Sequence, residues 1–551
     1  MFDALVVNAR IADGTGNPWF PGEIGITGDR IEAVGRLNGN AQARQVVDAK
    51  GHMVAPGFID IHSHSEFVLA APGHARVLAP FVKQGITTIV TGNCGYAPAP
   101  VNPETLDHMK SYTTFLKGDE LAWQWRSFGD FLDFLDKSGV VMNVVPMVAH
   151  GPVRIHEVGF EARQLTAEEF KRMKHLIRSS VEEGAFGFST GLLYAPGIFA
   201  PPEEIVELAS ALPKDAIYTS HVRGSSETLL PATREVIRVG EENGIACQHS
   251  HIEAFGRPNW TKLDQVIELH ERARARGVNN GFDVIPYVAA NTTLLAIYPP
   301  WALAGGVEAL LSRLRDPRTR EKIGQSIEED IPGWPCWTPG GWPHNLVEAT
   351  GWKNVTVMWV ESERNKSMEG KSLQAIADEQ GKAPFDVAAD LTVAESGHAM
   401  CLYFGVSGEL DDEAWLEKLL AHPYSAFETD AIITGKGVPH PAGYGAMPRV
   451  LGHFVRNRKL FPLEDAVRRI TSLPAQRFGL KKRGIIREGA FADLVIFDPA
   501  TIDDRTTYTT PTQEPAGIDY VMINGQIVVD QGRFDVQKLH GQVLRKGAAN
   551  A

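Results

Sequence analysis

Eight short β-branched or apolar runs, at residues 57–62, 87–92, 143–149, 185–190, 216–220, 245–250, 281–287 and 424–429, recur through the middle of the chain. Amphipathic stretches such as "TAEEFKRMKHLIRSSVEEG" and "LLPATREVIRVGEENG" lie between several of them. The second sets Leu, Val and Ile against charges and stops at Gly244. Eight strand–helix units in series predict an α/β chain folded as a (β/α)8 TIM-like barrel.

The two chain ends read as β. "ALVVNARIAD" and "GEIGITGDRIEAVG" at one end, and "GAFADLVIFDP" and "IDYVMINGQIVVDQGRF" at the other, are short runs broken by Gly and Asp, with a hairpin signal at Asn524-Gly525. They predict one small β-sandwich domain assembled from residues 1–55 and 482–551 around a barrel at 56–481. The gap between the seventh and eighth runs is too long for a simple loop. It holds helix-like segments and the Trp/Pro-rich "IPGWPCWTPGGWPHN", and is expected to be a helical insertion at about 300–415 that caps the barrel mouth.

With 551 residues, 43% of them hydrophobic, there is ample core, and a dispersed net charge of −13 argues against a nucleic-acid partner. Neither a signal peptide nor a membrane span is expected, so the cytoplasm is the default compartment. Cys94, Cys247, Cys336 and Cys401 are too few and too irregular for a disulfide framework. The expected partner is a small-molecule substrate, with homo-oligomerisation left open.

Barrel enzymes keep their sites at the C-terminal ends of the strands. Here those ends read His62-Ser63-His64, Asn93-Cys94-Gly95, His150-Gly151, Ser220-His221, His249-Ser250-His251 and Thr429-Asp430. Residues i and i+2 of a strand share a face, so His62 and His64 can aim two imidazoles at one point. Imidazole, thiolate and carboxylate together suit zinc, which activates water when one coordination position stays open. Asp430 is placed to take that water's proton. His249 shares parity with His251, which is preferred because it lies nearer the strand end. Cys247 reads as core, and Cys336 and Cys401 have no evident metal partner.

"APGFIDIHSHSEF", "GNCGYAPAP", "GAFGFSTGLLYAPG", "SHVRG", "SHIEAFG", "HPAGYGAMPRVLG", "SLPAQRFGL" and "IIREGAFADLVIFDP", in that order, resemble the amidohydrolase superfamily, and within it the N-acyl-D-amino-acid deacylases, or D-aminoacylases. The resemblance spans nearly the whole chain. It implies a zinc-dependent hydrolase acting on linear amides. Cys94, His221 and His251 match the tight zinc ligands, His62 and His64 a second and weaker metal position, and Asp430 the acid/base. The carbamylated lysine that bridges metals in many relatives has no counterpart in "GAFGFSTG", and the resemblance gives Cys94 the bridging place.

Two departures concern the substrate's α-carboxylate. Where the family has a lysine and an arginine to grip it, this chain has Glu253 and Ala442. Tyr287 and Arg449 are retained. Either the anchor has moved, to Arg223 or Arg449, or the substrate lacks a free α-carboxylate and is a neutral or cyclic amide, a lactone or an ester. Tyr194 is a candidate for the acyl pocket and His150 for a supporting position behind the ligands.

Overall fold

The computed structural model describes residues 1–37, 41–116, 121–338 and 340–549. A strand overlaps each of the eight windows. Their parallel pairing runs in two arcs. One is Phe58–Asp60, Ile86–Thr91 and Asn143–Pro146; the other is Val148–Ala149, Gly187–Gly191, Ile217–His221, Ala246–His249, Asn280–Val284 and Ser425–Phe427. The 143–149 segment changes partner at Met147, whose amide donates to Thr91 O (3.0 Å) while Val148 and Ala149 align with Phe188 and Ser189. At the far side the arcs meet in one isolated parallel bridge, Ser63–Ala431, with Asp430 N donating to His62 O (3.0 Å). No continuous ladder closes the set among the described residues.

These strands are buried on both faces, as parallel strands covered by helices must be. Ile59, Val90, Val145, Ile217 and Ala426 pack together inside with Leu473 and Phe478. Helices on the outside carry the expected stops and starts. Thr166 caps Ala167–Glu182 in a reciprocal box with Glu169, and Leu229–Asn243 ends at Gly244 in the left-handed region (φ 57°).

Both chain ends join in one continuous nine-stranded sheet. Phe2–Ile11 pairs with Phe20–Thr27 on one edge and with Ala43–Asp48 and Met53–Pro56 on the other. Met53–Pro56 then pairs with Leu494–Phe497, which stitches the N-terminal strands to the C-terminal ones. Asn524 (φ 50°) and Gly525 (φ 79°) form the tight turn between Ile518–Ile523 and Gln526–Asp530.

The expected helical insertion is mixed. Val355–Trp359 and Met400–Phe404, with Ala289–Thr293 just ahead of it, form a three-stranded antiparallel sheet against its helices. "AANTT", "VTVMW" and "MCLYF" are β-branched or aromatic, but each is only five residues long. Such runs are hard to tell from helix segments by pattern.

Candidate active site

The strand ends deliver their side chains to one buried point. His62 and His64 follow Phe58–Asp60, Cys94 follows Ile86–Thr91, His221 closes Ile217–His221, His251 follows Ala246–His249 and Asp430 follows Ser425–Phe427. All six are 7% exposed or less. Cys94 Sγ lies 3.2 Å from His62 Nε2, 3.4 Å from His251 Nε2 and 3.7 Å from His221 Nδ1. Asp430 Oδ1 lies 3.2 Å from both His62 Nε2 and His64 Nε2. One ligand atom from each of His62, Cys94, His251 and Asp430 falls within 4.8 Å of all the others.

Electron-rich groups this close and this buried need shared protons or a cation. Burial pushes the Cys94 thiol up, but the His62 and His251 imidazoles beside it outweigh burial and hold it well below its ordinary range. Thiolate is the form that ligates metal. A soft sulfur among imidazoles and one carboxylate suits zinc rather than a hard, oxygen-seeking ion.

Behind the cluster stand two acids that sequence reasoning did not single out. His62 Nδ1 lies 3.2 Å from Glu428 Oε2 and 3.7 Å from Asp283 Oδ1. Asp283 also accepts from the His251 backbone N–H and from Gln248 Nε2, each at 2.6 Å. Carboxylates behind a ligating imidazole fix its ring and tautomer. Asp283 sits mid-strand and Glu428 two residues before Asp430, so the signal available was a buried acid in an apolar run.

Above the cluster lies a narrow cavity, lined among others by Tyr96, Tyr194, Glu253, Asn291, Thr292 and His344. No lysine or arginine is among its described lining residues. Burial pushes the Glu253 carboxyl up to about 8, with Asp430 and Cys94 adding to the effect and His251 opposing it. Asn291 Nδ2 donates to Asp430 O (3.0 Å), and its Oδ1 is buried with no partner among the described residues. Tyr194 shares a hydrogen bond with Thr292 (2.9 Å) and its ring lies 4.9 Å from that of His221. Tyr96, Phe115, Leu193 and Tyr194 also wall a second, apolar cavity that Phe160 and Leu303 line as well.

Other expected residues lie elsewhere. Arg223 is fully buried but donates Nε and Nη2 to Glu235 (2.9 and 2.7 Å), so its charge is spent on a neighbouring helix. Arg449 pairs with Glu413, donates to Pro286 O (2.7 Å) and sits 4.8 Å over the Tyr287 ring. Tyr287 donates to Asp504 (2.8 Å) and borders a smaller cleft with His251 and Glu253. His150 pairs with Glu204 (3.1 Å), which also takes Arg154 Nε (3.2 Å), rather than with a ligand. His249 turns away to His270 (Nδ1 to Nε2, 3.3 Å). Its shared parity with His251 is lost because the backbone at His251 takes φ 36° and leaves the strand.

Residues 45–219 and 347–529 match the model of the amidohydrolase family. A D-aminoacylase of Alcaligenes xylosoxydans xylosoxydans is 33% identical, over 100% of this chain and 98% of its own length. Among solved structures, an N-acyl-D-glutamate deacylase from Bordetella bronchiseptica, complexed with zinc and a phosphonate inhibitor, superposes with a TM-score of 0.81 at 30% identity, covering 99% of both chains. A D-aminoacylase studied for its binuclear metal centre superposes with a TM-score of 0.80 at 31% identity, covering 99% of this chain and 100% of that one.

Proposed function

The chain belongs to the amidohydrolase family, and from that premise we propose that it is a metal-dependent deacylase that hydrolyses the amide bond of N-acyl-D-amino acids. The observation that carries this reading is the convergence of Cys94, His62, His251 and Asp430 within 4.8 Å, with His221 and His64 against them. The donor set fits zinc: Cys94, His221 and His251 would hold the tight site, and His62 and His64 a second, weaker one. A zinc ion bound there supplies Lewis-acid polarisation of the amide carbonyl and lowers the pKa of a neighbouring water.

The chain's own part is positional. Asp430 takes the proton of the attacking water and returns it to the amine as the C–N bond breaks. His62 and His64 lie against that carboxylate, and Asp283 and Glu428 stand behind His62 to orient its ring. The walls of the cavity exclude bulk water, which strengthens every charge interaction inside. Tyr194 borders both cavities and positions the apolar part of the substrate.

The two parallel arcs, joined through Ser63–Ala431, support a (β/α)8 barrel as the architecture, with the insertion over its mouth and a β-sandwich folded from the terminal sheet. The other reading, a substrate without a free α-carboxylate, started from Glu253 and Ala442. The full-length likeness to deacylases of N-acyl-D-amino acids does not favour it.

Metal removal tests the proposal. Protein stripped by a chelator should lose turnover of N-acetyl-D-leucine, and zinc titrated back should restore it. Full activity in protein shown by elemental analysis to be metal-free would end the proposal.

A further inference from the structure

If the substrate is an N-acyl-D-amino acid, its carboxylate must be held somewhere, and no lysine or arginine is among the described residues that line the cavity. The cations considered for that role are committed to Glu235 and Glu413. The tyrosine hydroxyls of Tyr194 and Tyr287 are committed to Thr292 and Asp504. Among the described lining residues outside the metal cluster, His344 offers a buried N–H without a partner.

His344 belongs to the insertion and lines the cavity, 1% exposed. Its Nδ1 accepts the Ser225 backbone N–H at 3.0 Å. A ring nitrogen that accepts carries no proton, so in the neutral ring the proton sits on Nε2. That Nε2–H is buried with no partner among the described residues. A buried donor left unpaired is costly, so its persistence in a substrate cavity points to a ligand.

The donor is also rigidly aimed. Thr228 Oγ1 donates to the carbonyl of Pro343, one residue before. One residue after, Asn345 donates to Ile327 O (2.8 Å) and accepts from Glu348 N (3.1 Å), opening the helix Leu346–Thr350. The Phe255 ring packs edge-on against the imidazole with centroids 5.3 Å apart. Ser225 itself follows four residues behind His221, so this contact ties the insertion to a loop carrying a candidate metal ligand.

We propose that His344 Nε2–H donates to the α-carboxylate of the substrate and replaces the missing cations at Glu253 and Ala442. This rests on the deacylase reading above. It makes the insertion part of the binding site rather than only its cover. It also makes His344 a binding residue, because the scissile carbonyl and the proton transfers belong to the metal site and Asp430.

Two substitutions separate this role from a structural one. His344→Asn keeps an acceptor where Nδ1 was, for Ser225 N–H, and removes the far donor. His344→Gln reaches the Nε2 position with an N–H donor and gives up the Ser225 contact. With metal content matched to wild type, H344N should raise KM for N-acetyl-D-leucine roughly ten- to a hundredfold, as expected for a lost hydrogen bond to a charged group, with kcat changed by less than about threefold. H344Q should recover much of that loss. With the methyl ester of the same substrate, the gap between wild type and H344N should shrink to within about threefold.

The reverse order, with H344N normal and H344Q impaired, would show that His344 only anchors the loop. A loss in kcat of equal size for acid and ester would assign the donor to the scissile carbonyl. Either result overturns the proposal. An active wild type whose KM is unchanged in both variants overturns the carboxylate role alone. A wild type inactive on every N-acyl-D-amino acid overturns the deacylase reading and the carboxylate role with it.

Discussion

Asp430 (φ 42°), Cys94 (φ 50°) and His251 (φ 36°) all take left-handed backbone conformations just past their strands. L-residues visit this region rarely, Asn and Asp most readily, and such strain concentrates where surrounding structure forces a side chain into a working position. It follows that Asp430→Asn should fold and bind metal as the wild type does, because Asn tolerates the same φ. Turnover should fall by at least about 10²–10⁴-fold, the usual cost of a lost general base. Near-normal kcat in metal-replete D430N would remove Asp430 from the chemistry. The substrate side chain can also be reasoned at this scale. Without a lysine or arginine along the described cavity walls, N-acetyl-D-leucine or -methionine should be cleaved faster than N-acetyl-D-glutamate. Competition assays with paired substrates would show this directly, and a preference for the acidic side chain would contradict it. The residues His62, His64, Cys94, His221, His251 and Asp430 were legible because each closes a strand. His344, Asn291, Asp283 and Glu428 were not, because their meaning lies in which atoms are left unpaired or paired across the fold.

The elements hold these residues through close backbone approach. Gly191 closes the Gly187–Gly191 strand, and a Cβ there would sit 2.0 Å from the carbonyl oxygen of Cys94. Gly191→Ala must therefore push the Cys94 loop away. The expected cost is about 1–3 kcal/mol of stability, together with less bound metal per chain, read by thermal melting and elemental analysis. Retention of full metal content would show the loop to be more compliant than argued. Away from the site, the Thr166 cap on Ala167–Glu182 offers a simple check. Thr166→Ala should cost about 1 kcal/mol. The Arg163 guanidinium and the Thr166 backbone hold the Glu169 carboxyl down to about 2, from an ordinary 4.5. A depressed carboxyl stabilises fully above its unfolded pKa, so this contribution is present above about pH 4.5 and fades as pH falls towards 2. Strand windows and helix stops were legible from periodicity and from Gly244. The change of partner at Met147 and the three-stranded sheet of Ala289–Thr293, Val355–Trp359 and Met400–Phe404 were not, since they depend on neighbours distant in sequence.

At the scale of the whole molecule, the two chain ends and the parallel strands are locked by one buried polar network. Asn143 donates to Asp493 (3.3 Å), Arg483 donates to Asp493 and to Asn524 Oδ1 (2.9 Å), and Asn524 Nδ2 returns to Asn143 Oδ1 (2.8 Å). Asp493→Ala removes the carboxylate that faces the buried Arg483 guanidinium and should cost about 3–5 kcal/mol. Denaturant melts would show it, and a loss below about 1 kcal/mol would mean that the terminal sheet is only loosely docked. That both ends are β was legible in their composition; that they join in one sheet through Met53–Pro56 against Leu494–Phe497 was not, because strand pairing between distant segments leaves no local pattern. No helix among the described residues is long and apolar enough to cross a membrane. Hydrolysis of N-acyl-D-amino acids by the buried cluster is checked by turnover of N-acetyl-D- and N-acetyl-L-leucine, methionine and phenylalanine by protein of verified zinc content. Fast, D-selective release of the free amino acid is the predicted result. Cleavage of the L-enantiomers alone, or cleavage only of uncharged esters and amides, would contradict it.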